Sequence, residues 1–252
     1  MTWPTAPVST TNTDASSDSP ANARADILDL QQKVNEMIAV EPVGRLIGVQ
    51  VFSTPGTSVY TPTTGTKSVL VECVGGGGGG VGVPSVSYGY NSGGGGGWGG
   101  SYAKSRYTSG FSGVTVTVGA GGAGGASTGQ SGSAGGTTSF GSLISCPGGA
   151  GGVYLTPTNS ANASALISTP TSVPSGGNVV MHRGEPGGAF YILNSFVMPM
   201  NGGATPLGSW GYNETVATGY GAGAPSRYQI YGNSAEAGKA GANGAVIIYE
   251  FS

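Results

Sequence analysis

Between residues 20 and 41 the apolar positions Ala23, Ile27, Leu30, Val34 and Met37 recur at spacings of 4, 3, 4 and 3. That is the stripe of one helix face and the a/d rhythm of a heptad. Ser19-Pro20 offers an N-cap followed by Pro at the first helical position, and Glu41-Pro42 offers a stop. Fewer than three full heptads do not hold a coil by themselves. The helix therefore either packs on its own domain or forms a short coiled-coil collar whose strands are also tied together downstream; the collar is the favoured reading. Ahead of it, residues 1–17 alternate Pro with Thr and Ser and read as an extended arm. Trp3, large and apolar in that arm, suits insertion into a neighbouring protein; the alternative is that it folds back on the helix.

From Gly44 onward the period changes to two. Ile47, Val49 and Val51 alternate, then Val69, Val71 and Cys73, then Val114, Val116 and Val118 between threonines. A last apolar and β-branched run, Ala245 to Phe251, closes the chain. Turn clusters such as Ser53-Thr54-Pro55-Gly56 separate these runs, and no helical periodicity follows residue 45. The prediction is a mainly β protein with three parts. An extended arm covers 1–18, a helical collar covers 19–43, and an all-β, sandwich-like domain covers 44–252.

Composition changes this picture in one respect. The chain of 252 residues holds 51 Gly, none of them before Gly44, and 31 lie between residues 75 and 152. Ordering each glycine costs more backbone entropy than ordering other residues. Such runs either stay mobile or are ordered where backbones approach too closely for side chains. Val69–Val74 leads straight into Gly75–Gly80, and Trp98 and Tyr102 sit among glycines, which favours order. Extended polyglycine-II-like segments, bonded to neighbouring segments, would satisfy their amides.

Charge and motifs exclude most chemistry. Only 8% of residues are charged and the net charge is −2, without the basic stripe that nucleic acid or anionic lipid needs. No run approaches a membrane span and no signal pattern opens the chain, so it reads as soluble and made in the cytoplasm. No Asp follows Asp29 and His182 is the single histidine, which removes a Ser-His-Asp triad from the β domain. His182-Arg183-Gly184-Glu185 is its densest polar cluster and reads as a surface loop. Glu185 and Glu214 are the pair a polysaccharide depolymerase could use, but nothing in the sequence brings them together. Gly75, Gly77 and Gly80 match a dinucleotide fingerprint, yet Val81-Gly82-Val83-Pro84 follows instead of a helix. Cys73 and Cys146 form no zinc motif and read as free, buried thiols. No cofactor, metal or catalytic residue is expected.

Several stretches in order resemble a known family. GVQVFSTPGTSVYTPTTGTKSVLVECVGGGGGG from Gly48 to Gly80 is similar to the start of the glycine-rich domain of bacteriophage tail fibres. Gly100 to Lys104, SGFSGVTVTVGAGGAGG at 109–125, TTSFGSLIS at 137–145 and the closing GANGAVIIYEF follow the same pattern. The N-terminal MTWPTAPVSTTNTDASSDSPANARADILDL resembles fibre N-termini of phages with Gram-negative hosts. Residues 153–237 depart from the pattern. The resemblance implies a non-enzymatic receptor-binding fibre assembled in the host cytoplasm and built into the virion as a homotrimer. It would hold a tail or baseplate protein at its N-terminus and a host polysaccharide, pilus or outer-membrane protein at its tip. In that reading Ala23, Ile27, Leu30, Val34 and Met37 join the copies and Trp3 anchors them to the particle. The competing classes are a structural glycine-rich component without recognition and, behind it, the depolymerase.

With so little charge, recognition would fall to aromatic and hydrogen-bonding side chains. The unmatched region supplies Trp210, Tyr212, Tyr220, Arg227, Tyr228 and Tyr231; the rival patch is Tyr88, Tyr90 and Trp98 in a Gly/Ser loop.

Overall fold

The computed structural model describes residues 20–39, 44–159, 162–164, 173–193, 196–198, 201–212 and 215–252. The chain divides into two compact units, residues 1–45 with Ser252, and Leu46–Phe251. In the first, the heptad stripe forms a helix over Pro20–Ala39. Ile27, Leu30 and Val34 are exposed along it, and Lys33 pairs with Asp29 one turn earlier at 3.3 Å. Trp3 and the flanking Ser19 and Glu41-Pro42 lie outside the described residues, as do the side chains of Ala23 and Met37.

The regular elements of the second unit are all β-strands among its described residues. Its alternating runs pair into an antiparallel five-stranded sheet in the order Leu46–Phe52, Ala245–Phe251, Ser68–Val74, Tyr102–Tyr107, Val180–His182. A four-stranded antiparallel sheet follows the order Gly56–Val59, Thr115–Val118, Thr138–Phe140, Ile144–Cys146. Alternation puts Val69, Val71, Cys73, Val246 and Ile248 on one inner face and Val116, Val118, Phe140, Ile144 and Cys146 on the other, in one shared core. Tyr60 packs edge-on to Phe140 at 5.7 Å. Both cysteines are free and buried; Cys146 donates to the Cys73 carbonyl at 3.2 Å. Burial pushes the Cys73 thiol well above its ordinary pKa, so it behaves as a small core hydrophobe.

The glycine runs are ordered, and their geometry explains their composition. Along 75–83 the backbone N–H groups point three ways in turn. Gly75 and Gly78 donate to Ser101 and Trp98 at 2.9 and 2.8 Å. Gly76, Gly79 and Gly82 donate to Gly136, Ser133 and Gln130, each at 2.9 Å. Gly77, Gly80 and Val83 donate to Ala242, Lys239 and Glu236 at 2.8, 2.9 and 2.8 Å. Every third residue forward meets every third residue backward on each partner. The segment therefore has three residues per turn, as an extended polyproline-II-type helix does, and its three acceptor segments run antiparallel to it.

Its carbonyls serve three further segments. Gly149 and Gly152 donate to the Gly76 and Gly79 carbonyls, Gly122 and Gly125 to those of Gly77 and Gly80, and Ala224 to that of Gly78. The six neighbours also bond to one another around a closed ring. Ser133 and Gly136 donate to Ala123 and Ala120, Gly132 and Gly135 to Gly152 and Gly149, and Trp98 and Ser101 to Ala150 and Pro147. Gly97 and Gly100 then donate to Ala224 and Gly221, Ala242 to Ala222, and Gly238 and Gly241 to Gly125 and Gly122. The arrangement is a hexagonal lattice of extended helices around Gly75–Val83, alternating in direction around the ring.

Space decides where glycine must sit. A Cβ on Gly76, Gly77, Gly78 or Gly79 would lie 1.9–2.2 Å from a neighbouring carbonyl oxygen, and none of these glycines has a positive φ. The missing side chain is needed for close approach here, not for backbone conformation. The ring has fewer crowded faces and is less restricted. In 119–126 every third residue, Ala120, Ala123 and Ala126, is exposed. In the antiparallel segments Gly132 and Gly135, and Gly238 and Gly241, keep the face that meets the central carbonyls, with built Cβ distances of 2.1–2.3 Å.

Candidate functional site

The lattice has two distinct ends. At one, Val74 pairs with Ala245 and Tyr102, so the core sheet continues directly into it. Leu46, where the unit begins, pairs with Phe251 at the far end of that sheet. At the other end the segments run out into loops and a small sheet, in which Asn91–Gly94 lies between Tyr154–Thr158 and Tyr228–Ile230. Phe190, fully buried, anchors this sheet together with Ile192, Leu155 and Tyr228. A Cβ on Gly93 would strike the Phe190 ring at 2.3 Å, which accounts for the glycine within that strand.

Two turns of one design project from this small sheet. In Ser87-Tyr88-Gly89-Tyr90 the Tyr90 N–H donates to the Ser87 carbonyl at 3.0 Å, and Gly89 has φ +79°. In Ile230-Tyr231-Gly232-Asn233 the Asn233 N–H donates to the Ile230 carbonyl at 3.3 Å, and Gly232 has φ +92°. A bond from residue i+3 to residue i with a left-handed third residue is the type II turn, which calls for glycine there and leaves the second residue projecting. That second residue is Tyr88 in one turn and Tyr231 in the other. The pairing of Ile230 with Asn91 sets the turns side by side. The two rings meet at 5.2 Å with planes 86° apart, a favourable edge-to-face pair. The pair is not sealed off: Tyr88 is 83% exposed and Tyr231 59%, with Tyr90 at 39% and Ile230 at 42% beside them. The result is an open corner of two perpendicular rings. Behind it, buried Arg227 pairs with Glu236 at 2.9 Å.

The nine aromatic and arginine candidates thus separate. Tyr88, Tyr90 and Tyr231, drawn from the two rival patches of the sequence, come together at the loop end. Trp210 and Tyr212 are half-exposed on a different element, following the strand Gly208–Ser209. That hairpin is rooted through Leu207 and Tyr220 on Val74, Tyr102 and Ala245, at the sheet end of the lattice. Tyr220 and Tyr228 are half-buried against core residues. Trp98 and Arg227 are buried and so offer no exposed contact surface. Trp98 belongs to the lattice, where its backbone N–H donates to the Ala150 carbonyl at 2.8 Å, and Arg227 is held by its ion pair. Sequence reasoning placed Tyr88 and Tyr231 in separate patches. The shared Tyr-Gly dipeptide at the two turns was the available signal.

The polar cluster stays at the surface, with His182, Arg183 and Glu185 all exposed. His182 is exposed on the edge strand opposite Tyr102, and Glu185 is exposed while its carbonyl accepts from Gly99 at 2.9 Å. Glu214 lies outside the described residues. Among the described residues no group of three His, Cys, Asp or Glu could hold a metal ion, and no helix is long and apolar enough to cross a membrane.

The model of a family described as a glycine-rich domain matches residues 53–219. That is about two thirds of the chain, and it reaches well into the stretch that departs from the fibre-like motifs. No curated protein matches the chain. The chain belongs to the glycine-rich domain family.

Proposed function

We propose that this member of the glycine-rich domain family is a bacteriophage tail-fibre receptor-binding protein, non-enzymatic, that touches the bacterial host through the loop end of its lattice. The observation that carries this reading is the open Tyr88–Tyr231 corner, at the end of the lattice opposite the sheet where the chain enters the unit. A solvent-facing pair of tyrosines on rigid turns gives large contact area at low entropic cost, the profile of an adaptable paratope. Low charge removes long-range steering and leaves stacking and hydrogen bonding to supply affinity. The fibre-like N-terminal segment supports virion attachment through the arm bearing Trp3. The exposed Ile27, Leu30 and Val34 stripe supports a homotrimeric collar. The protein is then a virion component that needs no cofactor.

Adsorption to host cells tests this. Tyr88→Ala and Tyr231→Ala should each weaken binding by about 1–3 kcal/mol, roughly 5- to 150-fold, as hot-spot truncations do. The melting temperature should hold, and added salt should change little. A normal Tyr88→Ala/Tyr231→Ala double variant alongside lost adsorption in Trp210→Ala would move the site to the hairpin at Gly208–Ser209. Normal adsorption in all of these variants would refute the reading.

A further inference from the structure

The lattice fixes the spacing of two thiols that host binding leaves unused. Gly149 donates to the Gly76 carbonyl and Gly152 to that of Gly79, at 2.8 and 2.9 Å. These two segments therefore run parallel, with 73 residues separating each bonded pair. One step of three residues back along the same row stand Cys73 and Cys146, also 73 apart. They close the core strands Ser68–Val74 and Ile144–Cys146, where the two sheets run into the lattice. Hydrogen-bonded backbones stand roughly 5 Å apart, whereas the sheets of a sandwich stand about 10 Å apart. The gap between these two chains must widen from one value to the other, and the cysteines occupy the first step of that widening. Two residues on from Cys73, a Cβ on Gly75 would lie only 2.7 Å from the Cys146 carbonyl oxygen. A disulfide joins Cα atoms about 4.4–6.8 Å apart, the spacing such a junction provides.

The side chains already span the gap from both sides. Cys146 Sγ donates to the Cys73 carbonyl at 3.2 Å, the role that a backbone amide fills at Gly149 and Gly152. Cys73 Sγ donates to the Thr138 carbonyl at 3.5 Å, and Thr138 is the ladder partner of Cys146. Each thiol thus reaches the backbone of the opposite sheet, and the two interact directly. Both cysteines are fully buried, so an oxidant meets them before the core closes, and native proximity then selects the partner.

We infer that Cys73 and Cys146 are a latent disulfide site, closed by a small disulfide oxidant such as oxidised glutathione, which ties the two sheets together where they enter the lattice. One cysteine attacks a sulfur of the oxidant and expels a first glutathione, leaving a mixed disulfide. The other attacks the protein sulfur of that mixed disulfide and expels the second. Two protein thiols are oxidised, one glutathione disulfide is reduced, and the two protons pass to the departing thiols. The bond would close a span of 73 residues, which restricts the unfolded chain. Host binding plays no part in this. The test is cell-free synthesis of the full chain in reduced or in oxidised glutathione, so that the oxidant is present before burial. After unfolding in urea, a thiol reagent should find two thiols in the first product and none in the second. The intact mass of the second should be lower by about 2 Da, the two hydrogens lost on forming a disulfide. Peptide mapping should show Cys73 joined to Cys146, and the oxidised chain should melt at a higher temperature than the reduced one. Cys73→Ser and Cys146→Ser should each erase that difference. An oxidising synthesis whose folded product keeps both thiols, carries two glutathione adducts or links two chains would overturn the inference. So would a cross-linked chain that melts below the reduced one, or a chain that fails to fold in the oxidising mixture alone.

Discussion

Gly78→Ala adds one methyl group at the centre of the lattice, and the structure sets its cost. The new Cβ would lie 1.9 Å from the Ala150 carbonyl oxygen and 2.5 Å from its carbon, both backbone atoms that no rotamer change can move. Overpacking of this kind costs about 1–3 kcal/mol. The displaced carbonyl also accepts the backbone N–H of Trp98 at 2.8 Å, and Trp98 is buried. Losing that bond leaves a buried donor unsatisfied, about 1–3 kcal/mol more. Against this, alanine restricts the unfolded chain and gains about 0.4–1 kcal/mol wherever the native backbone accepts it. Gly78 has no positive φ, so only space opposes the substitution. The net expectation is destabilisation by about 2–5 kcal/mol, a large part of a typical 5–15 kcal/mol total. For a unit of this size that lowers Tm by roughly 4–20 °C. Thermal melting followed by circular dichroism measures it, with Ala123→Gly as control. Ala123 is exposed on the lattice rim, and its loss should cost about 1 kcal/mol or less. A Gly78→Ala protein that melts at or above the wild-type temperature would show that the entropic gain wins and that the central run is not close-packed.

Two further outcomes follow from other parts of the molecule. Glu250 is buried, which by itself would raise its pKa. Thr63 Oγ1, the Tyr60 hydroxyl, the Thr63 N–H and Gln50 donate to it at 2.6, 2.6, 3.0 and 3.0 Å and hold it below the usual carboxylate range. A depressed folded-state pKa means that its stabilisation is present above the unfolded value of about 4.3 and is lost as pH falls through the folded one. Glu250→Gln should therefore destabilise the protein at pH 7 by about 2–4 kcal/mol and flatten the loss of stability on acidification; equal acid sensitivity in variant and wild type, measured by urea titration across pH, would remove Glu250 from that role. Deleting residues 1–17 should yield protein that still adsorbs to host cells but is not incorporated into virions, and normal incorporation with lost adsorption would reverse the assignment of the two ends.

The parts legible in the sequence were those set by neighbours along the chain. The 4-3-4-3 stripe marks the helix, and period two marks the strands that hold Val69, Val71, Cys73, Val246 and Ile248 in one core. The lattice was only half legible. Its segments are short and each starts in its own phase, so no single triplet register runs through residues 75–244. Yet Pro147-Gly-Gly-Ala150-Gly-Gly-Val153 and Ala120, Ala123, Ala126 carry the period of three locally. Which segment neighbours which depends on contacts far apart along the chain, such as Gly77 with Ala242, and no local pattern encodes that. The tyrosine corner was hidden for the same reason, since Tyr88 and Tyr231 are joined only through the pairing of Asn91 with Ile230.

The lattice also explains how loops of varied sequence can sit on one scaffold. A β-sheet binds each strand to two neighbours and relies on side chains to join its faces, so a strand's sequence is constrained along its whole length. In the hexagonal arrangement Gly75–Val83 is held from six sides by backbone bonds alone. Its requirement on its neighbours is chiefly that side chains stay off the contacting faces, which Gly132, Gly135, Gly238 and Gly241 meet. Residues beyond the lattice end enter none of these bonds except through the chain itself. Thus, apart from the turn glycines Gly89 and Gly232, 84–90 and 231–235 can vary while Gly82 and Val83 keep their bonds to Gln130 and Glu236. A scaffold whose stability lies in backbone spacing leaves its loop side chains free for contact. On that account the same molecule can carry many glycines at its centre and exposed tyrosines at its edge.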